Sequence, residues 1–188
     1  LRRSRGLSPN YFPNPFQLKD EVILATGGEL KSAFAIADEK HLYISQFLGN
    51  QESLESQLSY QKAYQHLSNL VQLKPTRVLV DKHPSYYVNQ LGRSFAKEMN
   101  LDEPIFIQHH YAHFAAVLAE NNLLSSGEKI LGVIWDGTGY GDDKQIWGGE
   151  FFCLESDEMR RVAHLKYFPQ LMGDKMGKEP RLSALSLF

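Results

Sequence analysis

The stretch that decides the fold is "EVILATGGELKSAFAIADEKHLYISQFLG", residues 21–49. It contains three short apolar runs, at Val22–Ala25, Ser32–Ala37 and Leu42–Gln46, which are separated by a glycine pair and by a charged tripeptide. Short apolar runs bounded by glycine and charged turns are typical of paired strands. This stretch therefore predicts a three-stranded antiparallel meander.

Helical and strand patterns alternate beyond the meander. They are helices at 52–73 and 85–99, strands at 77–81 and 104–108, a helix starting near residue 109, and strands at 129–137, 145–155 and 159–168. The helices are recognised by apolar residues at helical spacing, and the strands by short apolar runs. This order of elements predicts the α/β class, with a mixed sheet flanked by helices.

Composition limits the classes of partner. Lys and Arg together number 20 against 22 Asp and Glu, a net charge of -2 that argues against phosphate neutralisation on a nucleic acid. The single cysteine, Cys153, excludes an internal disulfide and suits a reducing cytosol. No apolar stretch approaches the ~20 residues that span a bilayer. We therefore expect a cytoplasmic protein with neither nucleic acid nor membrane as a partner.

The chain is interpreted as part of a longer protein, since it has no initiator Met and a helical pattern that opens at Pro180 stops at Phe188. Residues 1–20, which contain Pro9, Pro13 and Pro15, are predicted to be a linker without regular structure that follows an upstream domain. The alternative is a naturally short protein.

Three polar segments each follow a predicted strand: Asp81–His83, His109–His113 and Asp136–Asp143. Because chemistry in such sheets gathers at the carboxyl ends of parallel strands, these segments could line one edge of the sheet. His83 lies between the predicted strand at 77–81 and the predicted helix at 85–99, so it could instead cap the start of that helix.

The second segment is a histidine cluster, His109, His110 and His113. Residues four apart on a helix share a face, so His109 and His113 can reach one ion, but His110 and His113 could do so as well. Imidazole suits zinc, iron, nickel and copper. Asp136, at the end of the apolar strand "ILGVIW", is the best candidate for a carboxylate ligand. The alternative is that these histidines cap the helix and bond to the backbone.

The third segment, "DGTGYGDD", alternates Gly137, Gly139 and Gly141. Such a backbone can turn sharply and present N–H groups to a phosphate. The segment matches neither the P-loop nor the dinucleotide-binding fingerprint, and a hairpin turn is the more frequent structure for this composition. A similar glycine turn precedes Lys31, which could contact a phosphate or simply be solvated.

The order and spacing of seven segments are more specific than any one of them. These segments are "RRSRGLSP", "GGELKSAF", "SQFLGN", "DKHPSYY", "QHHYAH", "DGTGYGDDKQIWGGEF" and "HL" with "FPQLMGDKMGKEPR". Together they resemble the C-terminal carbamoyltransferase region of the HypF family of nickel–iron hydrogenase maturation proteins. The resemblance implies the actin/hexokinase/Hsp70-like ATPase fold, which is built from two ribonuclease-H-like lobes. On this basis residues 21–175 would form the first lobe, and residues 176–188 would begin the connection to a missing second lobe.

The same resemblance implies a function. In the family, upstream domains convert carbamoyl phosphate and ATP into carbamoyladenylate, and this region transfers the carbamoyl group to the C-terminal cysteine of the partner protein HypE. The product is later dehydrated to the cyanide ligand of the hydrogenase iron. Two alternatives are an O-carbamoyltransferase acting on a small-molecule hydroxyl and a non-catalytic fragment that docks a partner. With half of the cleft missing, the 188-residue chain alone is expected to be inactive.

Residue by residue, the resemblance favours His109, His113 and Asp136 as ligands of a divalent metal, zinc or iron. A further aspartate ligand would come from the second lobe. The residues implied at the nucleotide phosphate are Gly137, Thr138, Gly139 and Gly141. Lys31, facing the phosphate or the carbamoyl oxygen, and His83 are the predicted catalytic residues.

Overall fold

The computed structural model describes residues 11–169, 171–172, 176 and 179–187. The chain divides into two compact units, Leu1–Ile107 and Gln108–Phe188, each with its own sheet. The predicted first lobe, residues 21–175, contains parts of both units. The first ten residues of the predicted linker lie outside the described residues, as do positions 173–175, 177–178 and 188 near the predicted connection.

The first unit contains six strands and two helices. They are β1 (Tyr11–Pro13), β2 (Ile23–Ala25), β3 (Ala35–Ala37), β4 (His41–Ile44), α1 (Leu54–Val71), β5 (Arg77–Asp81), α2 (Tyr87–Glu98) and β6 (Ile105–Ile107). The sheet order is β1-β4-β3-β2-β5-β6. Antiparallel pairing of β2 with β3 and of β3 with β4 confirms the predicted meander. Because β5 runs parallel to both β2 and β6, the sheet is mixed, as predicted.

One part of the linker prediction is wrong. Tyr11–Pro13 form strand β1, which pairs antiparallel with β4. Proline lacks a backbone N–H and normally argues against a strand, but it is tolerated at a sheet edge, where one side of the strand needs no partner. Since β1 is the edge strand of this sheet, Pro13 does not prevent pairing.

The core of the first unit lies between its sheet and its helices. Leu24 and Ile36 of the sheet are fully buried, together with Tyr60 of α1 and Val88 of α2. The Tyr60 hydroxyl donates a hydrogen bond to the carbonyl oxygen of Thr26 at 2.8 Å, so its one polar atom is satisfied inside the core. No helix in the described ranges is long and apolar enough to cross a membrane.

The second unit carries the histidines. Its elements are α3 (His109–Glu120), β7 (Ile130–Tyr140), β8 (Ile146–Glu155), β9 (Glu158–His164) and α4 (Pro180–Leu187). The three strands form an antiparallel sheet in the order β7-β8-β9. Phe114 and Leu118 of α3 pack with Phe152 and Leu154 of β8 to form its core.

The prediction that all strands join one sheet is therefore wrong. In the described part of the chain, β7 pairs with β8 alone, so Asp136 and Asp81 belong to different sheets. The idea that the three polar segments line one sheet edge therefore fails for Asp136–Asp143, whereas Asp81–His83 and His109–His113 follow the neighbouring parallel strands β5 and β6. Apolar patterning identifies a strand, but it carries no information on which strand becomes its neighbour.

Candidate metal centre and adjacent cavity

Helix α3 begins at a side-chain cap supplied by Gln108. Its Oε1 accepts hydrogen bonds from the backbone N–H groups of His110, at 2.6 Å, and Tyr111, at 3.2 Å. These are two of the first N–H groups of the helix, which have no partner within it. The cap fixes the start of the helix at His109, and the four-residue spacing within the helix places His109 and His113 one turn apart on the same face.

The structure brings together the three residues that were predicted as metal ligands. The Nε2 atoms of His109 and His113 lie 3.0 Å apart. Asp136 Oδ2 lies 3.3 Å from His109 Nε2 and 3.9 Å from His113 Nε2. At zinc–nitrogen distances of ~2.0–2.1 Å, two ligands of a tetrahedral site are about 3.3 Å apart. The three separations bracket that value, so this donor set fits a small divalent metal ion.

The Asp136 carboxyl is held in its ionised form. The hydrogen bond with His109 lowers its pKa to about 2, although burial opposes the shift. The Gly137 N–H adds a hydrogen bond to Oδ1 at 2.7 Å. Burial lowers the pKa of the neighbouring His110, and the negative charge of Asp136 acts in the opposite direction. The site therefore presents a carboxylate beside a neutral, buried imidazole.

Asp136 lies inside strand β7 and not at its end, contrary to the prediction. The strand continues to Tyr140, with a register shift between Trp135 and Gly139, where pairing to β8 resumes. Irregular pairing of this kind re-aims the side chains beside it. The turn itself is short, since the Gly141 N–H already donates a hydrogen bond to the Gln145 carbonyl oxygen at 2.9 Å. The hairpin interpretation of the glycine segment is therefore confirmed.

The alternating glycines have different surroundings. A Cβ atom on Gly139 would lie 2.2 Å from His110 Cε1, and one on Gly141 would lie 2.2 Å from Trp147 Nε1. Packing against neighbouring rings thus explains both. A Cβ atom on Gly137 would meet nothing within 4 Å among the described residues, and Thr138 is exposed. Of the residues predicted at a phosphate, Gly137 and Thr138 are the ones with space for a ligand.

A cavity of about 450 Å³ opens beside the metal-ligand cluster. Asp136 and Gly137 are among its lining residues, as are Lys144, Lys166 and Glu150. Both lysine residues are exposed and positively charged. The volume is that of a small-molecule site, and its lining combines these two lysines with the carboxylates of Asp136 and Glu150.

A buried ion pair between Glu150 and Arg161 links β8 to β9, and it was not predicted from the sequence. Glu150 of β8 is 1% exposed, and Arg161 Nε of β9 donates to its Oε2 at 2.5 Å. The Gly148 N–H donates to Oε1 at 3.1 Å. The Arg161 guanidinium also lies 4.0 Å from the centre of the Trp147 ring. Charge and spacing alone cannot pair two residues on neighbouring strands before the register is known.

The two predicted catalytic residues, Lys31 and His83, lie in the first unit. Lys31 has a left-handed backbone (φ 50), its N–H donates to the side-chain oxygen of Asn50 at 2.9 Å, and its side chain is exposed. His83 Nδ1 accepts the Ser85 N–H at 3.3 Å, and its ring stacks on Tyr86 at 4.0 Å. These contacts just before α2 favour the helix-entry role for His83. The catalytic roles of both residues stay predictions.

Comparison with known proteins identifies related sequences along the whole chain. A family model described as the HypF Kae1-like domain matches residues 18–120, more than half of the chain. A second, described as the second subdomain of the carbamoyltransferase Kae1-like domain, matches residues 132–188. The predicted connection to a second lobe, residues 176–188, lies inside this second match.

Individual relatives agree with these matches. The chain is 40% identical over 189 residues to carbamoyltransferase HypF of Synechocystis, covering all of this chain and 23% of that protein. It is 33% identical to the probable carbamoyltransferase HypF of Methanocaldococcus jannaschii, of which it covers 24%. The chain thus spans about a quarter of the length of these relatives.

Two solved structures are also similar. The crystal structure of T. kodakarensis HypF matches with a TM-score of 0.86 at 34% identity, covering 100% of this chain and 24% of that one. A full-length HypF in the phosphate- and nucleotide-bound form matches with a TM-score of 0.82 at 32% identity, covering 95% of this chain and 23% of that one. These matches confirm the predicted α/β fold class. The chain belongs to the HypF family of carbamoyltransferases, within their Kae1-like region.

Proposed function

We propose that this chain forms part of a carbamoyltransferase site that holds a divalent metal ion, zinc or iron, and carbamoyladenylate. The acceptor is the C-terminal cysteine of a HypE-like protein. The observation that carries this proposal is the convergence of His109, His113 and Asp136, of which Asp136 also lines an open cavity. A similar full-length HypF was solved in a phosphate- and nucleotide-bound form, which supports a nucleotide as a ligand within this family.

The ligand set favours a catalytic metal over a structural one. Structural zinc sites are closed by four protein ligands, whereas catalytic sites use three and leave a position for water or substrate. His109, His113 and Asp136 supply three among the described residues, which leaves room for a substrate oxygen or a further ligand. When bound, the metal ion would polarise the carbamoyl carbonyl and bind the adenylate phosphate.

The residues around the cavity suit the phosphate end of the ligand. Since the Gly137 N–H already bonds to Asp136, the contribution of Gly137 is its missing side chain, which lets a ligand approach the backbone. Lys144 and Lys166 border the same cavity and can offset phosphate charge.

The reaction needs no nucleophile from this chain. The acceptor thiolate attacks the carbamoyl carbon, a sulfur–carbon bond forms, the carbon–oxygen bond to the adenylate phosphate breaks, and AMP leaves. The thiol proton is released before the attack. The only cysteine of the chain, Cys153, is 5% exposed in the interior of β8, so it does not compete with the acceptor.

The direct test incubates the full-length protein with carbamoyl phosphate, ATP and a HypE-like acceptor, and follows the acceptor by intact-mass spectrometry. We expect a mass gain of one carbamoyl group, which is lost when the terminal cysteine of the acceptor is replaced by serine. His113→Ala should abolish the gain, whereas Val117→Ala, one turn along the same exposed face of α3, should retain it. Full transfer by His113→Ala would contradict the proposal.

The 188-residue chain alone should not transfer the group, because it spans about a quarter of the length of its relatives. Transfer by this chain without any other segment would show that the site is complete within it.

A further inference from the structure

His110 is the one histidine of the cluster that the metal-ligand set leaves out, and it is fully buried. Its Nε2 atom has no hydrogen-bond partner among the described residues. Buried polar side-chain atoms in native proteins nearly always have a partner, so an orphaned nitrogen beside a candidate metal site requires an explanation.

Gln108 determines which nitrogen of His110 carries the proton. Because Gln108 Oε1 accepts two backbone N–H groups, the other end of the amide must be the NH₂ group. That NH₂ donates to the carbonyl oxygen of Tyr140 at 3.2 Å and lies 3.2 Å from His110 Nδ1. The flipped amide would place oxygen against oxygen at Tyr140 and NH₂ against the two N–H groups, so it is excluded.

The amide NH₂ has no lone pair to offer, and His110 Nδ1 must therefore be the acceptor. A neutral imidazole that accepts at Nδ1 carries its proton on Nε2. The orphaned atom is thus an N–H donor, and a nitrogen that carries a proton does not bind a metal.

The nearest charged atom to this donor is Asp136 Oδ2, at 3.9 Å, which is too long for a hydrogen bond. That oxygen instead contacts His109 Nε2 at 3.3 Å. A histidine that binds a metal offers a lone pair, so a metal-bound His109 would cease to donate to Asp136. The Gly137 N–H stays on Oδ1, and the His110 N–H is then the side-chain donor that lies beside Oδ2.

Strand β7 leaves space for the buried His110 ring next to Asp136. Because Gly139 has no side chain, β7 passes close to the His110 ring, and the Trp147 ring lies 5.6 Å from it on the neighbouring strand. The imidazole is therefore held by packing as well as by Gln108.

We propose that Gln108 and His110 are a positioning pair for the metal centre. Gln108 fixes His110 with its proton on Nε2, and His110 presents that N–H to the Asp136 carboxylate without binding the metal itself. The positioning role rests on the proposed metal centre, whereas the protonation pattern does not. Hydrogen bonds to ligating carboxylates typically change metal affinity 10–100-fold.

Two measurements test the pair. Long-range ¹H–¹⁵N correlation spectra of the imidazoles in the metal-free protein should show His110 protonated at Nε2. Gln108→Glu, which keeps a cap oxygen but turns the amide donor into an acceptor, should place a proton on Nδ1. A wild-type His110 protonated at Nδ1 would overturn the inference whatever the metal result.

The second measurement is zinc affinity by competition with a chromophoric chelator. His110→Leu should weaken zinc binding about 10–100-fold, and His110→Gln, whose amide retains an N–H donor, should recover most of it. Urea unfolding of both variants shows whether a loss of zinc affinity is due to misfolding. Equal zinc affinity in wild type and His110→Leu, or equal weakening in both variants, would overturn the positioning role. Failure of the wild type to bind zinc would overturn the metal centre itself, while the spectra still decide the Gln108–His110 contact.

Discussion

Replacing Gly139 by alanine tests how tightly strand β7 is fitted around the site. The new Cβ atom would lie 2.2 Å from His110 Cε1, whereas carbon atoms in favourable contact are ~3.5–4.0 Å apart. The ring or the strand must therefore move by more than ~1 Å. His110 is fully buried, so there is little free space to move into. Overpacking of this kind costs ~1–3 kcal/mol, and reduced freedom of the unfolded chain offsets ~0.4–1 kcal/mol of that. We expect a net loss of about 1–2 kcal/mol in the free energy of unfolding.

The same strand offers a matched control. Gly137 has no described atom within 4 Å of an added Cβ atom and no left-handed φ, so Gly137→Ala should leave stability unchanged or raise it slightly. The assay is equilibrium urea unfolding followed by circular dichroism, with zinc affinity measured on the same samples. Gly139→Ala should also bind zinc more weakly, because His110 is displaced. Equal stability of the two variants would refute the packing argument.

Three further predictions concern other contacts. Glu150→Gln should lower the free energy of unfolding by about 2–3 kcal/mol in urea titrations, because it removes a buried charged hydrogen bond to Arg161. Glu155→Gln, on the same strand but exposed, should change it far less. Although burial opposes the shift, hydrogen bonds from its neighbours lower the pKa of Asp143 to about 2 from 3.8. This stabilisation is present above pH 3.8 and is lost as the pH falls towards 2. After allowance for the 39% exposure of that side chain, the loss is about 1 kcal/mol, and Asp143→Asn should remove it. Tyr60→Phe should cost about 1 kcal/mol by leaving a buried carbonyl oxygen without its donor.

Local patterns in the sequence predict most elements of the first unit. The helix expected at 52–73 is found at Leu54–Val71, because its apolar spacing is regular and Pro75 prevents its continuation. The meander is correct for a similar reason, since its turns are short and its strands are neighbours along the chain. Strand β1 was missed because the three prolines of its segment indicate irregular structure unless the strand lies at an edge.

The second unit shows where sequence patterns stop being informative. The alternating glycines indicated a turn, but β7 continues to Tyr140 through Gly137 and Gly139. Gly139 and Gly141 are each required by a neighbouring ring and not by the turn. Those rings come from α3 and β8, and contacts between elements cannot be read from local composition. For the same reason, the pairing of Glu150 with Arg161 could not be predicted from the sequence.

The candidate site was predictable in part. Helical spacing allowed either His109 or His110 to pair with His113, and the family resemblance favoured His109. The folded chain shows that His109 faces the carboxylate and that His110 is buried. Gln108 was not recognised as a candidate because a glutamine before a helix carries little information. Its importance comes from its contacts with His110 and with Tyr140, which lies 32 residues further along the chain.

The central claim is that His109, His113 and Asp136 hold a divalent metal ion. Elemental analysis of the purified protein tests it most directly, with His109→Ala, His113→Ala and Asp136→Asn compared with the wild type. The control is His66→Ala, which changes an exposed histidine of α1. We predict about one zinc or iron per chain in the wild type and in the control, and a strong loss of metal in each of the three variants. Metal content that stays the same in all three variants would contradict the claim.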